Sequence, residues 1–425
     1  MARTAAQIRR TNVFAVIRAL YAQQEGASRR ELAEATGLSS ATVSTICSEL
    51  LESGLVVEAR RLRAPAGRPT AQLVLNGDHG VLIGIDLAET YVHVDTFDAS
   101  LTRISSTELP IDVHDRAPEL LVRYVSEAVL AEAIRHADRA LLGVGVSVPG
   151  QVDPEGGASV FAHNWDWHDV PLLQMLGEVI EAPLYLDNPL KSVALAELWT
   201  TPDRGNQTFV TLNLGTGVGA GIAIEGALLR GSTHSAGEWG HTTFVAEGRA
   251  CRCGSRGCVE AYVGAPGIIQ TLREMYPESR LLHGDDQTQT IDTIAAALRF
   301  GDPEAVELID VVSHQFGVAV ASLVNMLNPD AVIVGGWVAQ RLGAQLLERA
   351  LPHVRTHALP TPVSAVSFEV ASDRANSVSL GVAISALEGY VNSASDGTAV
   401  GAVGSAKEQV RLTRSTTHYR GGERR

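Results

Sequence analysis

The chain has 425 residues, of which 45% are hydrophobic and 19% are charged, and its formal net charge is −14 at pH 7. This length predicts two or three domains, and the composition is that of a globular protein with a sizeable core. Arg18 interrupts the N-terminal apolar stretch, and no apolar run approaches the roughly 18 residues of a membrane span, which argues against a signal peptide or a membrane protein. Because three of only four cysteines are clustered, a reducing compartment is favoured over a disulfide framework, and we expect a cytoplasmic protein.

The charge is distributed unevenly along the chain. Residues 1–80 contain ten arginines, no lysine and seven acidic residues, a net charge of +3 that leaves −17 on the remainder. Such asymmetry predicts a small basic module attached to an acidic body.

The N-terminal module has the pattern of a winged helix-turn-helix. Its predicted helices cover residues 8–23, 28–35 and about 40–52. Ser28-Arg29-Arg30-Glu31 is a capping-box sequence at the start of the second helix, and either Ser39 or Ser40 can cap the third. Two strand-like runs, Leu55–Ala59 and Ala71–Leu75, follow with arginines between them and complete a wing.

The third helix carries small hydroxyl side chains near its N-terminus, which suit a recognition helix that meets base edges and phosphates. We predict DNA contacts at Ser39, Ser40, Thr42, Ser44 and Thr45. In the wing loop, Gly67-Arg68-Pro69 can lay Arg68 in a narrow minor groove, or it can simply mark a turn. The alternative for the whole module is a small helical protein-interaction domain.

The acidic body contains two similar strand–turn–strand units. Val81–Asp86 and Tyr91–Asp95 form the first, and Phe209–Leu214 runs through a glycine-rich turn into Ile222–Ile224 in the second. Together with the further strands over residues 141–148 and 331–336, they predict an α/β body of two lobes that face one cleft. The glycines at 215, 217, 219 and 221 let backbone amides approach a phosphate, although such patterns are common.

A histidine and three cysteines lie close together in sequence with the spacing H-x9-C-x-C-x4-C. These are His241, Cys251, Cys253 and Cys258. Four soft ligands of this kind match a closed tetrahedral zinc site, which leaves no open position for catalysis. The alternative is three core cysteines and a surface histidine. Glu238 and Glu260 flank the cluster and are better placed to accept hydrogen bonds from a polyhydroxyl ligand.

These residues resemble the ROK family of repressors, open reading frames and sugar kinases, over nearly the whole chain to about residue 390. Glu238-Trp239-Gly240-His241 is similar to the family's E-x-G-H motif, and the cysteine cluster, the glycine-rich turn and Pro149-Gly150 also match. The resemblance implies an actin-like, ribonuclease-H-like fold of two lobes and structural zinc at the four soft ligands. It also implies sugar contacts at Gly150, Asn164, Asn188, Glu238, His241 and Glu260.

Two departures from the family's kinase pattern predict a protein that does not phosphorylate sugar. The kinases carry D-x-G-G-T in the first turn, where this chain has Ala88-Glu89 in place of both glycines. A carboxylate facing a phosphate costs roughly 1 kcal/mol per charge pair in water and about 4 at an intermediate effective dielectric. Pro189 stands where the kinases have the aspartate that acts as general base, a role that typically contributes about 10²–10⁴-fold to the rate.

The sequence therefore predicts three segments, with boundaries at 1–76 for the winged helix-turn-helix, 77–391 for the sugar-sensing body and 392–425 for a disordered tail. Trp165 and Trp167 could stack on a sugar or pack in a lobe. We expect a sugar-responsive transcriptional regulator, a repressor in the form of a homodimer or homotetramer, with operator DNA and a sugar as partners. The alternatives are an active ATP-dependent sugar kinase with an added DNA-binding module, and a scaffold that binds a phosphorylated transport protein.

Overall fold

The structure is a computed structural model that describes residues 4–62, 70–112, 116–162, 165–371 and 376–395. The first of these ranges opens with the three helices predicted for the N-terminal module. They are α1 (Ala5–Ala22), α2 (Arg29–Thr36) and α3 (Ser40–Glu52). Strands β1 (Val56–Leu62) and β2 (Thr70–Leu75) pair antiparallel behind them and form the wing.

Side-chain caps fix where these helices begin. Ser28 accepts a hydrogen bond from the backbone of Glu31, and the Glu31 carboxylate accepts one from the backbone of Ser28, which confirms the capping box. Of the two candidates for the third helix, Ser39 is the cap, since its hydroxyl accepts from the backbone N–H of Thr42 at 3.1 Å. Each such cap stabilises a helix by typically about 1 kcal/mol.

The first lobe is built on a five-stranded sheet. Its strands are β3 (Val81–Leu87), β4 (Tyr91–Asp98), β5 (Arg103–Pro110), β6 (Leu141–Ser147) and β10 (Leu184–Asp187). Their order is β10-β6-β3-β4-β5, with β3, β4 and β5 antiparallel and with β6 and β10 parallel to β3. The strand β3 is buried along its full length, in agreement with a sequence that is apolar except for Asp86.

Smaller elements complete the first lobe. A three-stranded sheet consists of β7 (Gln151–Asp153), β8 (Ala158–Ala162) and β9 (Trp167–Val170). The helices of this part of the chain are α4 (Pro118–Arg135), α5 (Leu172–Gly177) and α6 (Pro189–Thr200). Trp165 and Trp167 are only 5% and 3% exposed and belong to the hydrophobic core of this lobe, so the packing alternative is the one that the structure supports.

The second lobe repeats the sheet of the first. Its strands are β11 (Phe209–Leu214), β12 (Val218–Ile224), β13 (Ala227–Leu228), β14 (Ala331–Gly335) and β15 (Ser367–Val370). Counted within each sheet, the strand order of both lobes is 3-2-1-4-5, with three antiparallel strands followed by two parallel ones. This repeat confirms the prediction of two related lobes.

Helices cover the second lobe and return to the first. They are α7 (Glu260–Val263), α8 (Ala265–Met275), α9 (Gln287–Arg299), α10 (Pro303–Leu327), α11 (Trp337–His357), α12 (Pro360–Ala365) and α13 (Ser377–Ser395). The helix α13 packs on β3 and β6 of the first lobe and on α6. It includes Asn392, where the sequence predicted that a disordered tail begins. The hydroxyl of Ser393 donates to the carbonyl of Gly389, and Val391 is buried, so this last stretch is held in the helix.

Among the described residues, α10 is the one helix whose length and composition would allow it to cross a membrane. Its most apolar window is 56% buried within the protein. The side chains of Phe316 and Val320 lie in the core of the second lobe, which is the environment of a core helix.

The N-terminal helices and the body share one hydrophobic core. Residues of α1, including Ile17 and Leu20, lie in the same cluster as Trp199 of α6 and Leu387 of α13. The rings of Tyr21 and Trp199 are 6.3 Å apart and meet edge to face. The winged helix is therefore packed against the body.

Candidate functional site

A cleft of about 720 Å³ opens between the lobes, as the sequence predicted. The turns that follow β3, β11 and β14 and the first turn of α6 line it. The lining residues of these segments include Asp86, Ala88, Glu89, Pro189, Gly215, Thr216, Gly217, Gly336 and Trp337. The equivalent turns of the two lobes thus face each other across one cavity.

The β3–β4 turn presents carboxylates to the cleft. Asp86 is 5% exposed, and its Oδ2 accepts hydrogen bonds from the hydroxyl of Tyr91 at 3.2 Å and from Nδ2 of Asn376 at 3.0 Å. Burial raises the pKa of Asp86, opposed by these two hydrogen bonds. Ala88 and Glu89 line the cavity at the positions where the family's kinases have glycines. Glu89 thus adds a carboxylate to this wall where a phosphate would need room, which disfavours a polyphosphate.

Two glycines of the second lobe serve packing. Gly219 and Gly221 lie within β12, and a Cβ added there would lie 2.3 Å from Leu190 Cδ1 and 2.2 Å from the carbonyl oxygen of Leu190. They let α6 approach the strand closely. The sequence-based interpretation that all four glycines admit a phosphate is therefore supported at most for Gly215 and Gly217, which line the cleft.

Asn188 is buried immediately before α6, next to Pro189, which lines the cleft. Its side chain caps the helix by accepting from the backbone of Lys191 at 3.0 Å, and its Nδ2 donates to the carbonyl of Gly150 at 3.3 Å. The structure thus brings together two of the predicted sugar-binding residues. Gly150 has φ +89°, and a Cβ there would lie 2.2 Å from the carbonyl oxygen of Phe161, so only glycine fits.

Pro189 is the first residue of α6 and lines the cleft. The neighbouring carboxylate of Asp187 accepts from the backbone of Asn188 at 2.9 Å and pairs with Arg230 at 2.8 Å. Asp187 is 3% exposed and is held by these partners. These contacts hold the carboxylate in place, which supports the interpretation that Asp187 is not a displaced general base.

Sequence reasoning missed Lys191, which is only 3% exposed beside these residues. Burial lowers its pKa, and the carboxylates of Asp187 and Glu238 oppose that shift. The sequence did indicate that Lys191 has an acidic partner. A lysine in the first turn of a helix faces the positive end of the helix dipole and needs a compensating anion.

Glu238 is half-buried, and burial raises its pKa, while His241 and Lys191 favour its charged form. Gly240 positions this segment. A Cβ at Gly240 would lie 1.9 Å from the carbonyl oxygen of Val218, so the segment lies directly against β12. Glu238 and His241 are thereby placed on either side of a buried anchor, Trp239.

Glu260 is 6% exposed, and its carboxylate has partners within the protein. Its Oε2 accepts from the backbone of Val218 at 2.9 Å, and its Oε1 lies 3.7 Å from Cys251 Sγ and 3.9 Å from Arg252. This carboxylate therefore links the cysteine loop to β12, and any sugar contact would be an additional role.

The four predicted soft ligands come together. One ligand atom each from His241, Cys251, Cys253 and Cys258 lies within 4.8 Å of the others, and these residues form the one group of three or more that could hold a metal ion in the part of the chain that the structure describes. Nδ1 of His241 is 3.6 Å from Cys251 Sγ, and the sulfurs of Cys253 and Cys258 are 3.8 Å apart. This set of donors fits a tetrahedral metal site.

Arg249 attaches the cysteine-containing loop to the helices α7 and α8 that follow it. Arg249 donates to the carbonyls of Ala261 and Gly267 and stacks on Tyr262, with its guanidinium carbon 4.8 Å from the ring centroid. Burial raises the pKa of the Cys251 and Cys258 thiols, which in the absence of a cation keeps them protonated. A coordinated divalent cation reverses that preference and deprotonates coordinating thiols.

The predicted DNA-contacting side chains of α3 lie on its outer surface. Ser39, Ser40, Ser44 and Thr45 are exposed and Thr42 is partly exposed, while Val43 and Ile46 face the core. The Thr45 hydroxyl donates to the carbonyl of Ala41 at 3.1 Å. The predicted DNA-contacting residue Arg68 and the predicted sugar-binding residue Asn164 lie outside the described residues.

Comparisons with known proteins agree with this architecture. A family model described as the ROK family matches residues 82–388, and a model of the MarR family matches residues 8–67. A xylose repressor of Caldicellulosiruptor bescii is 29% identical over 83% of this chain and 90% of its own length. A glucokinase of Halalkalibacterium halodurans is 30% identical over 68% of this chain and 90% of its own length.

Among solved structures, a ROK family transcriptional regulator described as a homologue of the E. coli MLC protein superposes with a TM-score of 0.75. It covers 91% of this chain and 98% of its own at 22% identity, and at that identity it supports the fold. The match includes more of the chain than residues 82–388 alone.

Proposed function

Since this chain belongs to the ROK family, we propose that it is a sugar-responsive DNA-binding transcriptional regulator, a repressor of carbohydrate-related genes that does not phosphorylate its sugar. The observation that carries the proposal is the combination, in one chain, of an N-terminal winged helix with a cleft whose general-base position is Pro189. The repressor named above matches 83% of this chain, whereas the glucokinase matches 68%.

The loss of kinase activity follows from the chemistry of the cleft. A base must take the proton of the attacking sugar hydroxyl, and proline has no group that can do so. Asp187 is engaged by Arg230, and Glu89 stands where phosphates would lie. Phosphoryl transfer depends on positioned phosphates and an oriented nucleophile, and this cleft disfavours both.

The sugar side of the cleft supplies hydrogen-bonding groups of both kinds. We assign the effector contacts to Gly150, Asn164, Asn188, Glu238, His241 and Glu260. The Glu238 carboxylate accepts hydrogen bonds from adjacent hydroxyls, and the Asn188 amide can both donate and accept. Because Nδ1 of His241 faces Cys251, a contact with the sugar would use the other ring nitrogen.

The four soft ligands would hold a structural Zn²⁺ ion. When bound, zinc supplies a tetrahedral cross-link rather than a reactive water, since all four positions are filled by the protein. His241, Cys251, Cys253 and Cys258 would fix the loop that carries Glu260 against the segment that carries Glu238. The metal would thus organise one wall of the sugar site.

The winged helix would read operator DNA through the exposed side chains of α3, with Arg68 in the minor groove. We propose boundaries at 1–76 for this module and 77–391 for the sensing body, and a cytoplasmic homodimer or homotetramer. Two half-sites about 34 Å or a multiple apart would then be read by two copies of α3, and a small rotation between the copies would change the fit.

Polar contacts connect the cleft to the winged helix. Burial raises the pKa of Glu388 on α13, and the positive charge of Arg230, which pairs with Asp187 next to Asn188, opposes that shift. Glu388 accepts from the indole of Trp199 at 3.3 Å, and Arg18 of α1 also favours its charged form. The guanidinium of Arg18 in turn donates to the carbonyl of Gly226 at 3.3 Å. A sugar that binds one arrangement of these groups more tightly would shift α1, which is the requirement for a ligand to move an equilibrium.

The test uses the zinc-loaded full-length protein. We would select bound sequences from a library of random duplex DNA and then challenge the recovered complexes with a panel of sugars. The proposal predicts a two-fold symmetric site, binding that falls steeply with salt, and release or tightening by one class of sugar. A folded protein that retains no DNA at low salt would contradict it, and rapid ADP formation with any sugar would favour the kinase alternative.

A further inference from the structure

Backbone contacts hold the thiols of Cys253 and Cys258 side by side. The two sulfurs are 3.8 Å apart, which is close to van der Waals contact. The backbone N–H of Gly257 donates to the carbonyl of Arg249 at 2.7 Å, and a Cβ at Gly257 would lie 1.7 Å from the carbonyl oxygen of Val245. Because Gly257 also has φ +76°, glycine is required there, and the turn between the two cysteines has one fixed course.

The two thiols differ in their access to solvent. Cys253 is partly exposed, whereas Cys258 is fully buried. The third thiol, that of Cys251, lies against an imidazole and a carboxylate, with His241 Nδ1 at 3.6 Å and Glu260 Oε1 at 3.7 Å. Because oxidants reach the accessible sulfur first, an exposed thiol in contact with a buried one has the arrangement of an attacking and a resolving cysteine.

We propose that Cys253 and Cys258 form a redox switch, in which a hydroperoxide such as H₂O₂ converts the two thiols to a disulfide and thereby releases zinc from the four soft ligands. This inference rests on the zinc site proposed above and adds a second state to it. The sulfur separation of 3.8 Å equals the distance of about 3.8 Å between two sulfurs that each lie about 2.3 Å from one tetrahedral zinc ion. The same pair can therefore hold the metal when reduced and bond to each other when oxidised.

The oxidation proceeds in two steps. The sulfur of Cys253 attacks one oxygen of the peroxide, the O–O bond breaks, and the products are a sulfenic acid and one water. The sulfur of Cys258 then attacks the sulfenic sulfur, so that the S–S bond forms, the S–O bond breaks and the hydroxyl leaves as a second water. Two electrons pass from the sulfur pair to the peroxide, and the two protons come from the thiols or, for thiolates, from solvent.

The disulfide removes two of the four metal ligands. The thiolate, and not the sulfur of a disulfide, is the form of cysteine that binds metals. His241 and Cys251 remain, and two ligands do not complete a closed tetrahedral site. Oxidation of one pair of cysteines therefore suffices to release the ion.

Contacts of the loop connect this switch to the cleft. The guanidinium of Arg252 donates to the carbonyl of Thr216 at 3.0 Å, and Thr216 lines the cleft. Glu260, two residues after Cys258, accepts from the backbone of Val218 at 2.9 Å. Both contacts attach the loop to the turn between β11 and β12, so we expect oxidation to loosen that turn.

The experiment treats the zinc-loaded full-length protein with H₂O₂ in the presence of a chromogenic zinc chelator. We expect one zinc to be released per chain and the intact mass of the zinc-free chain to fall by about 2 Da, the mass of the two hydrogens lost. Because trypsin cuts after Arg252 and Arg256, a disulfide between Cys253 and Cys258 joins two separate peptides, which mass spectrometry identifies. Dithiothreitol followed by ZnCl₂ should restore the zinc, and hydrogen exchange at residues 215–218 should rise only in the oxidised protein.

Two variants provide the controls. Cys253→His keeps a zinc ligand and removes one sulfur of the pair, so its zinc should leave at least about tenfold more slowly than that of the wild type. Elemental analysis before treatment shows whether this variant is loaded, and the peptide map of the wild type tests the pairing independently of it. Cys47→Ala removes a buried thiol of the winged helix and should release zinc at the rate of the wild type.

Three results would overturn the proposal. They are a wild type that keeps its zinc under peroxide, a disulfide that joins any other pair of cysteines, and a loaded Cys253→His protein that loses zinc as fast as the wild type. A wild type that contains no zinc before treatment would contradict the zinc assignment itself, and with it the switch. All of these outcomes can be read without a sugar or an operator, so they are separate from the test of DNA binding.

Discussion

The phosphate side of the cleft and the proposed sugar site beside it differ in the chemical groups that they present. At the proposed sugar site, Asn188 accepts a hydrogen bond from the backbone of Lys191, and Glu238 lies close enough to Lys191 and His241 for both to favour its charged form. On the phosphate side, the β3–β4 turn presents Ala88 and Glu89, and Pro189 occupies the position of the base. The cavity of about 720 Å³ is lined by these phosphate-side turns, and the described residues of the proposed sugar site lie outside its lining.

This contrast teaches that binding and catalysis can be separated within one fold. Binding depends on several hydrogen bonds that each contribute modestly, so it survives the loss of one of them. General-base catalysis depends on one ionisable group, and its removal is not compensated by the others. A cleft that keeps its hydrogen-bonding groups but loses its general base becomes a sensor.

The largest effect should come from the metal ligands. Cys258→Ser should abolish the binding of one zinc per chain and lower the melting temperature sharply, because structural zinc contributes several kcal/mol or more to folding. Elemental analysis and thermal unfolding measure both consequences. Cys47→Ala, which removes a buried thiol of the winged helix, should retain the zinc. Unchanged zinc content in the Cys258 variant would refute the assignment.

Restoring the kinase residues on the phosphate side of the cleft should restore ATP-dependent turnover. The variant that combines Ala88→Gly, Glu89→Gly and Pro189→Asp should release ADP with the effector sugar at a rate at least about 100-fold above that of the wild type, since a general base alone typically contributes about 10²–10⁴-fold. Ala88→Gly alone is the control and should stay at background. A wild type as fast as the combined variant would remove the distinction between the two halves.

Removing the carboxylate of Glu238 from the proposed sugar site should weaken binding of the effector. Glu238→Gln should lower the affinity for the effector about 10- to 100-fold, because a hydrogen bond with a charged group contributes about 1.5–3 kcal/mol. Titration calorimetry with the effector measures the change. Equal affinities would exclude Glu238 from the sugar site.

The same residue should give a pH dependence. Burial raises the pKa of Glu238, so its carboxylate takes up a proton at a higher pH than an ordinary glutamate. Protonation removes an acceptor, and the affinity for the effector should therefore fall as the pH drops through this raised pKa. Calorimetry at a series of pH values should show the fall in the wild type and a flatter profile in Glu238→Gln. A profile that is identical in both proteins would assign the dependence to another group.

The smallest effect should come from Arg18, which connects the winged helix to the body. Arg18→Ala removes the contact with Gly226 and the charge near Glu388, and it should reduce the change in operator affinity caused by the effector by about fivefold, or about 1 kcal/mol. Arg9→Ala breaks an ion pair with Glu49 inside the winged helix and should leave the effector response intact. Fluorescence anisotropy of labelled operator, with and without sugar, distinguishes the two.

Local patterns explain which parts of this molecule were predictable. The capping box at Ser28 and the spacing of the four soft ligands act over a few residues, and both predictions agree with the structure. The roles of Gly219 and Gly221 could not be obtained in this way, because they depend on the approach of α6 from elsewhere in the chain. Lys191 differs from these glycines, because its position in the first turn of α6 is visible in the sequence, whereas its burial near Asp187 and Glu238 is not.

The central claim is tested most directly by following one sugar in one reaction. The zinc-loaded protein, labelled operator, ATP with Mg²⁺, and the sugar that alters operator binding would be combined, and operator anisotropy and ADP would be recorded together. The account predicts a full change in anisotropy with no ADP above background and with the sugar recovered unmodified. ADP formation at about 1 s⁻¹ or faster, within the ordinary range of enzymes, together with a phosphorylated sugar, would contradict it.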